Sequence, residues 1–304
     1  MKPLIIIPTL NEVNSISILI SKIEKQYSNC HIIIVDGGSS DGTIEAINRL
    51  RTNNSNIFLT IQEPGSGFGE ALKLGFSYAI KNQYDPIITM DGDLSHSPDY
   101  LSVFFEESKS HDLVIGSRYI NGVRVEGWKF RKLLTSKLAN IYISYILVKP
   151  IWDFTSGFRC YRLKFIESLD LDDLDTIAYI IQIQLLYLAF KKKFSVKEIP
   201  FIYREIGSAG SKVYPHSKRR TFFFLLKYRA PFFEILRHLT YLKKDYKRYV
   251  QEYEELINPP KFKHNGEFEL KSNYTVSVGV MAYNEENLIS RCLDGLLCQK
   301  LNNG

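Results

Sequence analysis

The feature that most constrains this chain is an alternation of strand-length apolar runs with helical patterns, each pair joined by a short polar turn. Leu4-Ile5-Ile6-Ile7 stops at Pro8, and a helical pattern covers residues 13–26. Residues 31–35 form a second apolar run, after which Asp41-Gly42-Thr43 opens a second helix. A third run at 57–61 leads through a Gly-rich turn into a helix over 69–81, and further runs lie at 86–90 and 113–116. Ser97-Pro98-Asp99 reads as a helix start, with Ser as cap, Pro in the first helical position and an acid in the first turn. Such repetition predicts an α/β chain: a Rossmann-like, doubly wound, mostly parallel sheet with flanking helices. Ligands of these sheets bind outside the carboxyl ends of the strands, and the polar motifs of this chain fall there.

Composition removes several classes. With 45% hydrophobic and 24% charged residues over 304 positions, the chain is not a disordered tail and can bury a sizeable core. Its four cysteines, Cys30, Cys160, Cys292 and Cys298, contain no C-x-x-C pair, against a disulfide scaffold or zinc ribbon and in keeping with a reducing compartment. The apolar run at the N-terminus is too short for a signal peptide. No charge-free apolar run reaches the ~18 residues that span a bilayer; the longest, 176–190, predicts a buried core helix.

Charge is uneven. The chain is +6 overall, but residues 212–250 hold eleven Lys and Arg against Glu234 and Asp245, a net +9 that leaves the rest at −3. Basic residues there interleave with Phe222-Phe223-Phe224-Leu225-Leu226 and Phe232-Phe233, and Ile235, Leu239, Leu242, Tyr246 and Tyr249 recur at helical spacing. A basic stretch suits nucleic acid or an anionic membrane surface; bulky apolar groups beside the charges favour a basic, amphipathic helical pair at a membrane interface, divided at Pro231, with no nucleic-acid partner. A basic hairpin packed on its own domain is the simpler alternative. Further on, Val276-Ser277-Val278-Gly279-Val280 followed by Asn284-Glu285 parallels Leu4-Ile5-Ile6-Ile7 followed by Asn11-Glu12. This repeat predicts the truncated start of a second domain of the same kind. The expected organisation is a catalytic domain over 1–214, a basic aromatic helical extension over 215–258, a linker over 259–274 and the start of the repeat over 275–304.

Four motifs carry chemistry. Pro8-Thr9-Leu10-Asn11-Glu12 ends the first strand, and Val35-Asp36-Gly37-Gly38-Ser39-Ser40-Asp41-Gly42-Thr43 follows the second. An acid at a strand end can accept hydrogen bonds from a base or ribose, and small residues let a ligand approach the backbone; Asp41 could equally cap a helix. Asp91-Gly92-Asp93-Leu94-Ser95 follows the fourth strand. Strand alternation would put Asp91 and Asp93 on one side, where two carboxylates repel unless a cation such as Mg²⁺ or Mn²⁺ lies between them. Gly116-Ser117-Arg118-Tyr119 sets a cation after the fifth strand.

In this order and spacing the motifs resemble the family 2 glycosyltransferases of the GT-A fold, and among them the dolichol-phosphate mannosyltransferases, which make polyprenyl-phosphate sugars. The resemblance covers residues 1–214. It runs on through Gly65-Ser66-Gly67-Phe68-Gly69-Glu70-Ala71, His96-Ser97-Pro98, Asp153-Phe154-Thr155-Ser156-Gly157-Phe158-Arg159, Glu198-Ile199-Pro200, Tyr203-Arg204 and Gly210-Ser211-Lys212. It implies that Pro8, Leu10, Glu12 and Asp36 hold the nucleotide. Asp91 and Asp93 would hold the metal and through it the donor diphosphate, with Ser95 as a third group of the metal shell. Arg118 and Arg131 would receive the acceptor phosphate, Arg124 and Lys129 competing with Arg131. Arg204, Ser211 and Lys212 would close a loop over the site, and Asp93, Arg118 and Arg131 would carry catalysis. The implied reaction is inverting, metal-dependent transfer of mannose from GDP-mannose to a polyprenyl or dolichyl phosphate, at the cytoplasmic face of a membrane to which the chain attaches peripherally. A lipid phosphate is largely dianionic at pH 7, its second pKa being near ~6. It needs no base, so the lack of a Ser-His-Asp or Cys-His group is expected.

Three departures stand out. Many relatives have a second Asp where this chain has Gly37, relatives often carry Glu at the position of Gln184, and Cys160 replaces an apolar residue. Other readings compete. UDP-glucose could be the donor, but Gly67-Phe68-Gly69-Glu70-Ala71 lacks the Lys that glucose-transferring relatives tend to show. A nucleotidyltransferase would carry a Gly-rich basic loop after the first strand, unlike Pro8-Thr9-Leu10-Asn11-Glu12. A non-catalytic nucleotide-sugar-binding scaffold at a membrane would be expected to lose the acidic motif that Asp91 and Asp93 retain.

Overall fold

β-Branched runs make the strands. Leu-Ile-Ile-Ile at 4–7 and Ile-Ile-Ile-Val at 32–35 are the residues a pleated strand packs best, and neither alternates with polar positions, so both faces must be covered. The computed structural model describes residues 2–147, 149–175 and 180–206. In chain order these form β1 (Leu4–Thr9), α1 (Ile16–Gln26), β2 (His31–Asp36), α2 (Thr43–Asn53), β3 (Ile57–Ile61), α3 (Phe68–Lys81) and β4 (Ile87–Thr89). A 3₁₀ turn (Pro98–Tyr100) then precedes α4 (Leu101–Glu107), β5 (Leu113–Ser117), β6 (Val125–Glu126), α5 (Phe130–Leu147), β7 (Arg159–Tyr161), α6 (Leu163–Glu167), α7 (Ile180–Lys191), β8 (Val196–Pro200) and β9 (Tyr203–Arg204).

The main sheet has seven strands in the order β3-β2-β1-β4-β7-β5-β8. All neighbours are parallel except β7, which runs antiparallel to both β4 and β5. Alternate residues of β1 feed opposite layers: Leu4 and Ile6 pack with Leu72 and Phe76 of α3 and with α7, whereas Ile5 and Ile7 pack with α1 and α2. In α1 the buried residues are Ile16, Leu19, Ile20 and Ile23, one helical stripe. β6 and β9 form a separate two-stranded parallel ribbon. Among the described residues no helix is long and apolar enough to cross a membrane.

The mostly parallel α/β sheet with flanking helices forms as expected. The first helix begins at Ile16 rather than Val13, because Val13 donates its N–H to Asp41 and the turn before α1 belongs to the ligand edge. Ser97 caps the 3₁₀ turn, its side chain accepting from Asp99 N–H. The helix expected over 176–190 is α7 where described, with Ile180 to Leu186 wholly buried. The basic extension, linker and repeat expected beyond residue 214, and the loop residues Ser211 and Lys212, lie outside the described residues.

Candidate active site

The site starts where β1 and β2 end side by side, Thr9 in register with Asp36. Two polar turns here leave backbone donors that must find partners, and each turn satisfies the other. Asn11 N–H donates to Ser39 Oγ at 2.8 Å, Ser40 N–H to Asn11 Oδ1 at 3.0 Å, Glu12 N–H to Thr43 Oγ1 at 2.9 Å and Val13 N–H to Asp41 Oδ2 at 3.1 Å. Asp36 is fully buried and braces its own turn, taking Gly38 N–H at 2.9 Å, Ser39 N–H at 2.7 Å and the Ser39 hydroxyl at 2.6 Å. Pro8, Leu10, Glu12 and Asp36 therefore share this edge. A side chain at Gly37 would meet Leu10 at 3.4 Å and Gln62 at 3.5 Å, ordinary contacts, so glycine is not sterically required there. Gln62 itself, just past β3, is buried and donates to Gly67 O at 3.2 Å, and its Oε1 has no partner among the described residues. A lone Gln after a strand gives no sequence signal.

The acidic motif follows β4, but that strand ends at Thr89. Asp91 and Asp93 are brought together by a tight turn, with Leu94 in the left-handed region at φ 67°, and not by strand alternation. Asp93 Oδ1 accepts Ser95 N–H at 2.9 Å, which fixes the turn. Burial pushes the Asp91 carboxyl above its ordinary range; the charges of Asp93 and Glu12 push the same way, and His96 and Arg118 oppose them. Its side chain still keeps 38% of its surface open. His96 is buried, stacked on Phe158 at 4.8 Å between ring centres, and its Nδ1 accepts Asp91 N–H at 2.9 Å. That acceptor role and the downward push of burial on its pKa describe a neutral imidazole with the proton on Nε2.

A divalent cation fits this corner. The two crowded carboxylates have no Lys or Arg ion pair among the described residues, and beside them the buried Ser95 Oγ has no partner there either. No group of three or more His, Cys, Asp and Glu side chains converges among the described residues. The protein supplies a half-shell of hard oxygens that suits an ion shared with a diphosphate.

Arg118 leaves β5 at the same edge and is gripped in a bidentate pair: Nε to Asp153 Oδ2 and Nη2 to Asp153 Oδ1, both at 2.7 Å, with Nη2 also on Thr155 Oγ1 at 2.8 Å. Burial alone would raise Asp153, but Arg118 holds it below the usual carboxylate range. The loop carrying Asp153 is itself pinned. Glu198 of β8 accepts Trp152 N–H at 2.9 Å and Asp153 N–H at 3.0 Å; Asn140 of α5 accepts Phe154 N–H at 2.7 Å. The fully buried Arg159 donates to Phe154 O and Gln182 O at 2.7 Å and to Ser156 O at 2.8 Å. A Cβ on Gly157 would lie 3.4 Å from Asp91 Oδ1, so this loop joins the arginine corner to the acidic one.

The other expected residues spread out. Arg131 is exposed on the first turn of α5. Arg204 donates its backbone N–H to Ser95 O at 3.4 Å but pairs its side chain with Glu126 at 2.7 Å across the small ribbon. Gln184, at the position where relatives carry Glu, bonds Asp175 N–H at 2.7 Å and Asp173 O at 2.9 Å. Cys160 is fully buried packing, its thiol pushed up by burial. His96 and Glu198 hold backbone N–H groups, and Asp153 grips both the Arg118 guanidinium and its backbone N–H, partners that residue type does not disclose.

Known proteins resemble this chain in sequence and in fold. The chain is 35% identical over 210 residues to the polyprenol monophosphomannose synthase of Mycolicibacterium smegmatis, covering 68% of this chain and 79% of the relative. It is 28% identical over 211 residues to the undecaprenyl-phosphate mannosyltransferase of Micrococcus luteus, covering 69% and 87%. Among solved structures, glucosyl-3-phosphoglycerate synthase from Mycobacterium tuberculosis in complex with Mn²⁺ and uridine-diphosphate-glucose superimposes with a TM-score of 0.58 at 17% identity, covering 75% of this chain and 78% of that one. That likeness carries the fold, a GT-A-like sheet. Residues 4–170 match the family described as glycosyl transferase family 2. By that match and by its likeness to the mannose synthase, the chain belongs to glycosyl transferase family 2.

Proposed function

We propose that this chain transfers mannose from GDP-mannose to a polyprenyl phosphate at a membrane surface, with Mg²⁺ or Mn²⁺ and with inversion at the sugar. The observation that carries the reading is the meeting of the crowded Asp91–Asp93 carboxylates with a pinned arginine across Gly157. The polyprenyl acceptor is that of the two mannose-transferring relatives. The turns after β1 and β2 seat the nucleotide, with Pro8, Leu10, Glu12 and Asp36 on their edge. Asp91, Asp93 and the Ser95 hydroxyl would hold the cation, which supplies Lewis-acid stabilisation to the leaving diphosphate.

The acceptor phosphate is already a nucleophile near neutral pH, so the protein's work is positioning two anionic partners and balancing their charge. Arg118, preset by Asp153, orients the phosphate oxygen for in-line attack at C1; the new C1–O bond forms as the bond from C1 to the nucleoside diphosphate breaks. Neutral His96 holds the Asp91 backbone and takes no proton from substrate. Arg204, Ser211 and Lys212 close over the site in this reading.

The test is a transfer assay offering GDP-mannose, UDP-glucose and UDP-GlcNAc with polyprenyl phosphate, with and without EDTA. Chelator-sensitive mannosyl transfer is expected from GDP-mannose alone. Asp91→Asn and Asp93→Asn should each lower kcat by roughly 10³-fold, the several kcal/mol a Lewis-acid site contributes, with unchanged circular dichroism. An active, metal-independent Asp93→Asn enzyme would refute the assignment.

A further inference from the structure

The loop that carries Asp153 is held on its two flanks by different means. After Asp153, Asn140 takes Phe154 N–H, and Arg159 donates to the carbonyls of Phe154 and Ser156. Before it, Trp152 N–H goes to Glu198 Oε2 at 2.9 Å and Asp153 N–H to Glu198 Oε1 at 3.0 Å. The Ser117 hydroxyl, one residue from Arg118, is a third donor to that carboxyl. Glu198 itself is 8% exposed.

Three donors on one buried carboxyl suit a carboxylate. A proton on either oxygen turns that oxygen from acceptor to donor, and one loop N–H then loses its partner. Of the groups bonded to this carboxyl, only Ser117 Oγ has lone pairs for such a proton, and it already takes Ile120 N–H at 3.2 Å. The charged groups that face Glu198 are Asp153 on the loop, which favours the proton, and Arg159 on β7, which opposes it. Arg118, at the end of β5, is taken up by Asp153. Burial resists the charge that the hydrogen bonds call for, so the two forms of Glu198 compete. The outcome reaches Arg118, because the Asp153 carboxylate accepts its backbone N–H, Nε and Nη2.

We propose that Glu198 is a positioning residue for Arg118: its carboxylate draws Asp153 into line with the guanidinium, and its protonated form releases the upstream flank of the loop. What Arg118 orients, the acceptor's phosphate, rests on the mannosyl-transfer reading. The test compares the full chain with Glu198→Gln, whose amide has one acceptor oxygen and cannot hold both N–H groups. Acceptor kcat/KM is measured with GDP-mannose and polyprenyl phosphate over about pH 5.5 to 8, and titration of the phosphate, common to both proteins, cancels in their ratio. Wild type should match the variant within about twofold at the acid end and exceed it about tenfold at the basic end, as one hydrogen bond to a charged acceptor allows, with donor KM unchanged. Ser117→Ala removes a donor to the ionised form and should move the rise up by about one pH unit; a merely structural serine would lower the rate equally at every pH. Should Glu198→Gln not fold, that shift decides. A further readout needs no substrate. Trp152 is one of two tryptophans; with Trp128→Phe it reports alone, and its anisotropy should fall on acidification through about 7, a change that Glu198→Gln removes. A rate ratio flat with pH, a rise that Ser117→Ala leaves in place, or a Trp152 signal that titrates equally in Glu198→Gln overturns the proposal. If Trp152 titrates through Glu198 yet no sugar is transferred, the positioning stands and the mannosyl-transfer reading falls.

Discussion

Arg118 is held by charges that are themselves buried: Asp153 grips it, Arg159 braces the loop, and Glu198 holds the loop's backbone. Asp153 neutralises Arg118, and the backbone carbonyls of Phe154, Ser156 and Gln182 take the Arg159 guanidinium, which makes this buried cluster tolerable. Its members respond to pH in opposite ways. Burial pushes Glu198 up to about 7 from 4.5, against the hydrogen bonds from Trp152, Ser117 and Asp153. Between pH 4.5 and about 7 the folded protein keeps a proton that the unfolded chain has released. Stability therefore falls as pH rises through that window, by on the order of 3 kcal/mol in all. Asp153 is held low, so its contribution is present above its ordinary range and lost as pH falls through its depressed pKa. Glu198→Gln should abolish its share of the decline: the difference in Tm between variant and wild type should grow in the variant's favour from pH 4.5 to 7 and then level. A difference that stays flat across that window would show Glu198 to be ionised throughout. At this scale the placement of Asp91, Asp93 and Arg118 at the sheet's carboxyl edge was readable from the sequence, because each follows a strand-length apolar run. Glu198 and His96 were not, because their partners are backbone N–H groups far away in sequence. Gln184 shows the same limit: seen as a lost carboxylate, it is an amide that satisfies one donor and one acceptor of the 173–175 loop, which glutamate could not do.

Among the elements, α5 is turned inside out. Its inward residues include polar Ser136, Asn140 and Ser144, bonded to Tyr119 Oη, Phe154 N–H and Lys149 O. Its exposed residues include Phe130, Leu134, Leu138, Ile141 and Tyr142, with Phe130 72% open. Sequence periodicity did not mark this helix, since polar residues at every fourth position look like a solvent face and here line the interior. Lys129 and Arg131 flank the apolar stripe, the pattern of a helix lying on an anionic surface. Asn140 links the same helix to the Arg118 loop, so a lipid phosphate entering from that surface would arrive at the arginine corner. We expect Leu134→Gln with Leu138→Gln to weaken binding to anionic vesicles about tenfold, as loss of two buried apolar side chains at ~0.8 kcal/mol per methylene easily allows. A tryptophan placed by Leu138→Trp should be quenched by brominated lipid. An unquenched tryptophan would show that α5 does not lie in the bilayer.

For the whole molecule, the decisive feature is the direction of β7. A sheet of parallel strands presents only strand-to-helix turns at its carboxyl edge; reversing one central strand brings its entry loop there as well. Because β7 runs against β4 and β5, with Arg159 in register with Thr89 and Ile115, the 152–157 loop lands between Asp91 and Arg118. The layered α/β plan was legible from alternation, but three residues, Arg-Cys-Tyr, cannot announce a strand, still less its direction. The loop's placement then depends on how closely the layers approach, and α3 sets that distance on one side. A Cβ on Gly75 of α3 would lie 2.5 Å from Ile6 Cγ2 and 2.9 Å from its Cδ1, in the centre of β1. Gly75→Ala should therefore destabilise the fold by about 1–3 kcal/mol through overpacking, although alanine is the better helix former by ~1 kcal/mol. Ile6→Ala alone should lose about 2–5 kcal/mol to its cavity, and the double variant should lose at least ~1 kcal/mol less than the sum, since the new methyl fills part of that space. Phe68, at the start of α3, lies 3.8 Å from where a Cβ on Gly157 would be, so a helix pushed outward also moves a wall of the site. Gly75→Ala should accordingly raise the donor KM, and Ile6→Ala in the same chain should bring it back. Additive stabilities, or a donor KM indifferent to both changes, would mean that α3 yields without moving the sheet edge.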